Sequence, residues 1–263
     1  NVNAADFSVT GTTATVTGVA TVTASTYDIT VSGGDLAGLN GTVDLNLAGG
    51  QNIQDLAGNP LPNTQPTTDE TYVVDNLAPT LISFTRQNPA TSPTNADALT
   101  FRVIFNEAVL NVSNGDFDQT GTTTNPSATA VIDALTYDVT LSGGGDLAGL
   151  NGLVTLDLDV TGGTHNITDL AGNALPNVQP ATDEAYLVDN TAPTTATITQ
   201  AAGQTDPTST LPINFQVTFP QAINVSSFVP ADITNGGTAP GVKTVTITEI
   251  APNNGTTFNI AIN

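Results

Sequence analysis

The sequence predicts an all-β chain built of tandem two-sheet domains, and three observations carry that expectation. The first is composition: Thr, Val, Asn and Pro abound, and 24 Gly and 16 Pro stand in 263 residues. These are strand formers and turn formers. Lys, Glu, Gln and Arg are scarce, and no long stretch repeats at helical spacing. The second is alternation of apolar and polar residues over short runs. The third is repetition on the scale of a domain: Asp55 and Asp169, and again Asp75 and Asp189, lie 114 positions apart.

The repeated segments are long and nearly verbatim. Tyr27-Asp-Ile-Thr-Val-Ser-Gly-Gly-Asp-Leu-Ala-Gly-Leu-Asn-Gly returns as Tyr137-Asp-Val-Thr-Leu-Ser-Gly-Gly-Gly-Asp-Leu-Ala-Gly-Leu-Asn-Gly. Asn52-Ile-Gln-Asp-Leu-Ala-Gly-Asn returns as Asn166-Ile-Thr-Asp-Leu-Ala-Gly-Asn, and Tyr72-Val-Val-Asp-Asn-Leu-Ala-Pro-Thr as Tyr186-Leu-Val-Asp-Asn-Thr-Ala-Pro-Thr. A third, diverged copy is marked by Phe219-Pro-Gln-Ala-Ile-Asn-Val, which matches Phe105-Asn-Glu-Ala-Val-Leu-Asn-Val. The expected domains are therefore 1–78, 79–192 and 193–263.

In the middle copy seven strands are expected, over 80–86, 98–105, 116–120, 128–132, 135–141, 153–160 and 185–188. Phe101, Val103 and Phe105 share one face of the second, and Val154, Leu156, Leu158 and Val160 alternate along the sixth. Seven short strands with Gly, Pro and Asn turns fit a two-sheet sandwich of immunoglobulin type. With no Cys pair and no Trp, the likeness to antibody domains is architectural. Asn1-Val2 matches Asn111-Val112, so the first copy lacks the first two strands, and the third lacks the last elements. Because a sandwich short of strands exposes its core, the expectation is a window on a longer array. The alternative is completion by strands from neighbouring molecules.

Together, the Pro-Thr start, the Phe-x-Glu-Ala-Val segment, the Asp-Leu-Ala-Gly-Asn turn and the closing Val-Asp-Asn-Thr-Ala-Pro-Thr linker resemble bacterial Ig-like repeat domains. Such domains stand in tandem in giant surface proteins and adhesins, often secreted and often stiffened by calcium. The resemblance implies an extracellular, cell-surface stalk or filament whose partners are further copies of the repeat and a host or surface receptor; the alternatives are a receptor- or glycan-binding module, or a filament subunit completed by strands from neighbours. It identifies no ligand.

Charge narrows the function classes further. Three Lys+Arg face 24 Asp+Glu, for a net charge of −21. Such a chain cannot neutralise phosphates, which excludes a nucleic-acid partner, and an anionic bilayer repels it. No apolar run is long enough to span a membrane. Catalysis has little to work with: Cys is absent and His165 is the one histidine, expected as a solvated turn residue. An arrangement of the Ser-His-Asp kind needs a histidine held by a partner. The chain is read as a non-enzyme.

The acids point elsewhere. Calcium takes several oxygen ligands, chiefly carboxylates and carbonyls. In a seven-strand sandwich, Glu107, Asp116, Asp133, Asp169 and Asp183 fall at the pole where Asp75 enters from the preceding copy. These six form the expected first junction site, and a bound Ca2+ would relieve their mutual repulsion. For Asp169 and Asp55 taken singly, a turn role within Asp-x-x-Gly-Asn is the simpler reading. A second, weaker site is expected from Asp189, Asp232 and Glu249, where Gln221 replaces Glu107. The short linkers ahead of Pro79 and Pro193 limit reorientation between copies.

Overall fold

Strands form where β-formers alternate, and Gly and Asn turns end them. The computed structural model describes residues 2–160, 165–236, 241 and 243–263. The first repeat holds β1 (Phe7–Thr10), β2 (Thr15–Thr23), β3 (Thr26–Ser32), β4 (Gly41–Leu47) and β5 (Tyr72–Val74). They make a three-stranded sheet in the order β1-β4-β5 and a separate β2-β3 hairpin.

The middle repeat is fuller. It holds β6 (Leu81–Asn88), β7 (Leu99–Phe105), β8 (Val109–Leu110), β9 (Phe117–Thr120), β10 (Pro126–Val131), β11 (Thr136–Leu141), β12 (Asn151–Leu158), β13 (Thr168–Asp169), β14 (Thr182–Asp183) and β15 (Tyr186–Asp189). One sheet runs β10-β11-β7-β6-β14, a second β15-β12-β9, and β13 pairs with β8. Among the described residues these strand pairings are antiparallel except that of β14 with β6, where Asp183 lies opposite Phe84, and Thr94 adds an isolated parallel bridge to Val188. Alternation decides which residues turn inward: Leu99, Phe101, Val103 and Phe105 on β7 are buried while Thr100, Arg102 and Ile104 between them are half-buried. Val154, Leu156 and Leu158 on β12 do the same from the other sheet.

Both sheets feed one core. Phe84, Phe101, Phe105 and Tyr137 from the five-stranded sheet share it with Phe117, Leu156, Tyr186 and Val188 from the three-stranded sheet. Phe101 meets Tyr186 edge-on with centroids 5.0 Å apart, the arrangement aromatic pairs favour. The Tyr186 hydroxyl donates to Thr100 O at 2.8 Å and accepts from Gln87 N at 3.1 Å. Arg102 forks onto Asp138 across the β7–β11 pair at 2.9 and 3.0 Å, and Arg86 pairs with Glu184 at 3.7 Å.

Shared backbone constraints show the two copies to be built alike. Gly121 sits at φ +82°, and a Cβ there would overlap the Leu153 carbonyl; Gly11, at the same φ, meets Thr42 O in the same way. The unit Thr191–Asn263 carries β16 (Thr197–Gln200), β17 (Ile213–Thr218), β18 (Val245–Glu249) and β19 (Thr257–Ile262). These form one sheet, β16-β17-β19-β18, over a small core of Val217, Phe258 and Ile260. Residues Asn1–Asn190, with the first two repeats, form the other unit. Among the described residues no helix is long and apolar enough to cross a membrane.

Candidate metal centre at a repeat junction

Two short strands place the acids. β8 begins two residues after Glu107, and its pairing with β13 sets Val109 opposite Asp169. The linker from the first repeat is drawn in by amides. Asn106 N donates to Thr80 O at 3.0 Å, and Thr80 N donates to Asn106 Oδ1 at 2.6 Å. Asn173 Nδ2 donates to the carbonyl oxygens of Asp75 at 3.0 Å and Leu77 at 3.4 Å. As a result, one carboxylate oxygen each from Asp75, Glu107 and Asp169 lies within 4.8 Å of the others. It is the one such acidic group among the described residues.

Asp169 is buried, while Asp75 and Glu107 are half-buried. The Asp169 carboxylate closes its turn by accepting from Asn173 N and Nδ2, both at 2.8 Å. Burial alone pushes its pKa up, but hydrogen bonds from the Asn173 side chain and backbone, then from Gly172 and Ala171, pull it below the usual aspartate value. The group is therefore held ionised. Asp75 Oδ1 accepts from Leu77 N at 3.0 Å, and Glu107 Oε1 from Asn106 Nδ2 at 3.2 Å. Each carboxylate keeps lone pairs that these bonds leave free, so the three together offer hard oxygen donors to one divalent cation.

Of the other three acids expected at this junction, Asp116 and Asp133 hold local partners. Buried Asp116 accepts from Ser113 N at 2.6 Å and Ser113 Oγ at 2.9 Å, closing a tight turn ahead of β9. Asp133 sits in the β10–β11 turn, where a hydrogen bond from Leu135 N, before any other influence, holds its pKa low. Asp183 lies on β14 with its side chain exposed; partial desolvation by the protein around it first, and Asp157 second, raise its pKa. For the second junction, Asp189 ends β15 in one unit. In the other unit Asp232 accepts from Val229 N at 2.8 Å, and Glu249 accepts from Gly255 N.

His165 requires a correction. It is half-buried, and neither ring nitrogen reaches solvent or, among the described residues, a hydrogen-bond partner. The glycines before it in the sequence suggest an open turn, but Ile167 two positions on is drawn fully into the core.

Sequence reasoning missed the asparagines. Asn76 Nδ2 donates to Leu36 O and Leu39 O at 3.1 and 2.8 Å, and Asn76 N donates to Asn40 Oδ1. Asn190 repeats all three bonds, to Leu147 O, Leu150 O and Asn151 Oδ1. Each linker is thus clamped onto the Leu-Ala-Gly turn of its own repeat. The signal was present in the recurrence of Val-Asp-Asn, read only for its aspartate. Comparison with family models, with curated proteins and with solved structures finds no match.

Proposed function

We propose that this chain is a non-enzymatic structural protein: the shaft of an extracellular adhesin or surface filament, made of immunoglobulin-like repeats and stiffened by calcium at a junction between them. The observation that carries the reading is the convergence of Asp75, from the linker, with Glu107 and Asp169, from the following repeat. A cation held by these three would tie one repeat to the next. The asparagine clamps support the same role. Asn76 fixes the linker to the repeat before it, and Asn173 fixes it to the repeat after it. Chain on both sides of the joint is thereby restrained, which a load-bearing shaft needs and a flexible tether does not.

The three carboxylates supply part of a shell of about six to eight oxygens, with water and carbonyls for the rest. A cation that binds only the folded junction must raise its stability, by about 3 kcal/mol at roughly a hundredfold excess over Kd. The test is a thermal melt of the full chain in millimolar calcium and again in excess chelator, for the parent and for Glu107→Gln. The expected outcome is a rise of about 5–10 °C in the parent and most of it lost in the variant. An equal rise in both would remove Glu107 from the site, and no rise in either would remove calcium from the reading.

A further inference from the structure

Asn-Gly pairs occur five times in the chain, at Asn40, Asn114, Asn151, Asn235 and Asn254. Such a pair is reactive because glycine, lacking a Cβ, lets its amide nitrogen reach the asparagine carboxamide carbon. Three of the asparagines are tied down. Asn40 and Asn151 accept from the linker amides Asn76 N and Asn190 N, and their glycines are paired in β4 and β12. Asn114 donates to Pro126 O from the single-turn helix ahead of β9. Asn254 differs. It is exposed in the turn between β18 and β19, and its Oδ1 accepts from Thr256 Oγ1 at 2.6 Å and Thr256 N at 3.3 Å.

The glycine that follows is held as well. Gly255 N donates to Oε1 of half-buried Glu249, the acid expected at the second junction. A carboxylate therefore stands on the one proton that must leave before this nitrogen can attack. Among the described residues, no other Asn-Gly pair has a carboxylate on its glycine nitrogen. The seating of the turn is shared with the fuller middle repeat. Gly255 O accepts from Ile223 N and Thr256 O from Phe219 N, as Ala134 O accepts from Val109 N and Leu135 O from Phe105 N. The middle repeat has Asp133-Ala134-Leu135 at this turn and no asparagine.

We propose that Asn254-Gly255 is a self-modifying site, with Glu249 as the base and Thr256 as the oxyanion donor for intramolecular succinimide formation. Glu249 takes the Gly255 amide proton while that nitrogen bonds to Asn254 Cγ, closing a five-membered ring. Charge that develops on Oδ1 meets the Thr256 N–H and O–H already directed at it. The adduct then breaks its Cγ–Nδ2 bond, and Glu249 returns the proton to the departing nitrogen, which leaves as ammonia. Water opens the imide at either carbonyl, leaving aspartate or isoaspartate at position 254. Each event adds one negative charge to the turn that holds Glu249. The isoaspartate product also puts an extra methylene into the backbone next to Gly255, whose carbonyl seats the turn. The assignment stands apart from the proposed shaft and its cation, since none of Asp75, Glu107 and Asp169 takes part.

The experiment ages the full chain at neutral pH and physiological temperature in heavy-oxygen water, so that solvent oxygen marks each conversion. Position 254 is followed by peptide mapping with mass spectrometry, and the same ageing in urea sets the rate of the unfolded chain. Conversion is expected to be about tenfold or more faster in the folded chain than in the unfolded one. Glu249→Gln, which keeps the shape and removes the base, should slow the folded chain by about tenfold or more. A folded rate no greater than the unfolded rate would overturn the proposal, because the turn would then protect the pair. An unchanged rate in a folded Glu249→Gln chain would overturn it too, by removing the base. The ratio of folded to unfolded rates needs no variant, so it decides even where Glu249→Gln fails to fold.

Discussion

Asn173 is the residue on which the joint turns. Its single amide group reaches Asp169, Asp75 O and Leu77 O, so a turn in one repeat holds the linker from another. Among the described residues its counterpart Asn59 reaches Asp55 alone, in its own turn. Asn173→Ala should therefore cost about 1–2 kcal/mol, since a buried or half-buried bond is worth about 1 kcal/mol net and its orphaned partner more. Asn59→Ala should cost little. Thermal melts of the two variants side by side give the comparison; equal losses would mean the linker contacts add nothing. The aspartates of these turns could be read from sequence because Asp-x-x-Gly-Asn is local. The amide's reach to Asp75 O spans 98 positions, and no local pattern announces it. Asp116 was misleading for a local reason: it was expected to begin the strand, but it closes the single-turn helix Asn114–Asp116 ahead of β9, where Ser113 three residues earlier captures its side chain.

At the level of elements, the seven longer strands of the middle repeat were legible because alternation marks which face is buried. Their ends moved by one or two residues, as at Asn151–Leu158 against the expected 153–160. The two-residue strands β8, β13 and β14 were not legible. Each is defined wholly by a distant partner, and two residues carry no periodicity. Yet β8 and β13 are what bring Glu107 beside Asp169, so the part of the site hardest to read was the part that builds it. Packing separates the two copies of the same strand. Leu156 on β12 is fully buried, whereas its counterpart Leu45 on β4 is half-buried. Leu156→Ala should cost about 2–5 kcal/mol and Leu45→Ala much less, because the cavity term needs surroundings that cannot relax. Urea unfolding of both variants measures the difference; similar values would show the first repeat to be as tightly closed as the middle one.

For the whole molecule the governing quantity is a net charge of −21, which acts over the Debye length of about 10 Å at 0.1 M salt. Two of the three cations, Arg86 and Arg102, are already committed inside the middle repeat. Screening by monovalent salt and capture of a divalent ion are thus separable. Raising sodium chloride to match the ionic strength of millimolar calcium should move the melting temperature by under about a degree, while calcium moves it by several. Identical shifts would assign the effect to screening of the general surface. The parallel contact of β6 with β14 also sets a clock on synthesis. Arg86 N bonds Glu184, 98 positions later, so at about 5–20 residues per second the strand waits roughly 5–20 s for its partner to leave the ribosome. During that wait an identical partner from the preceding repeat, Glu70, is already made and within the same chain. Every repeat of this kind that follows another must choose between an early wrong neighbour and a late right one. Arg86 and Arg102 in one copy, and Gln200 and Gln216 at the matching places in the next, make that choice less ambiguous.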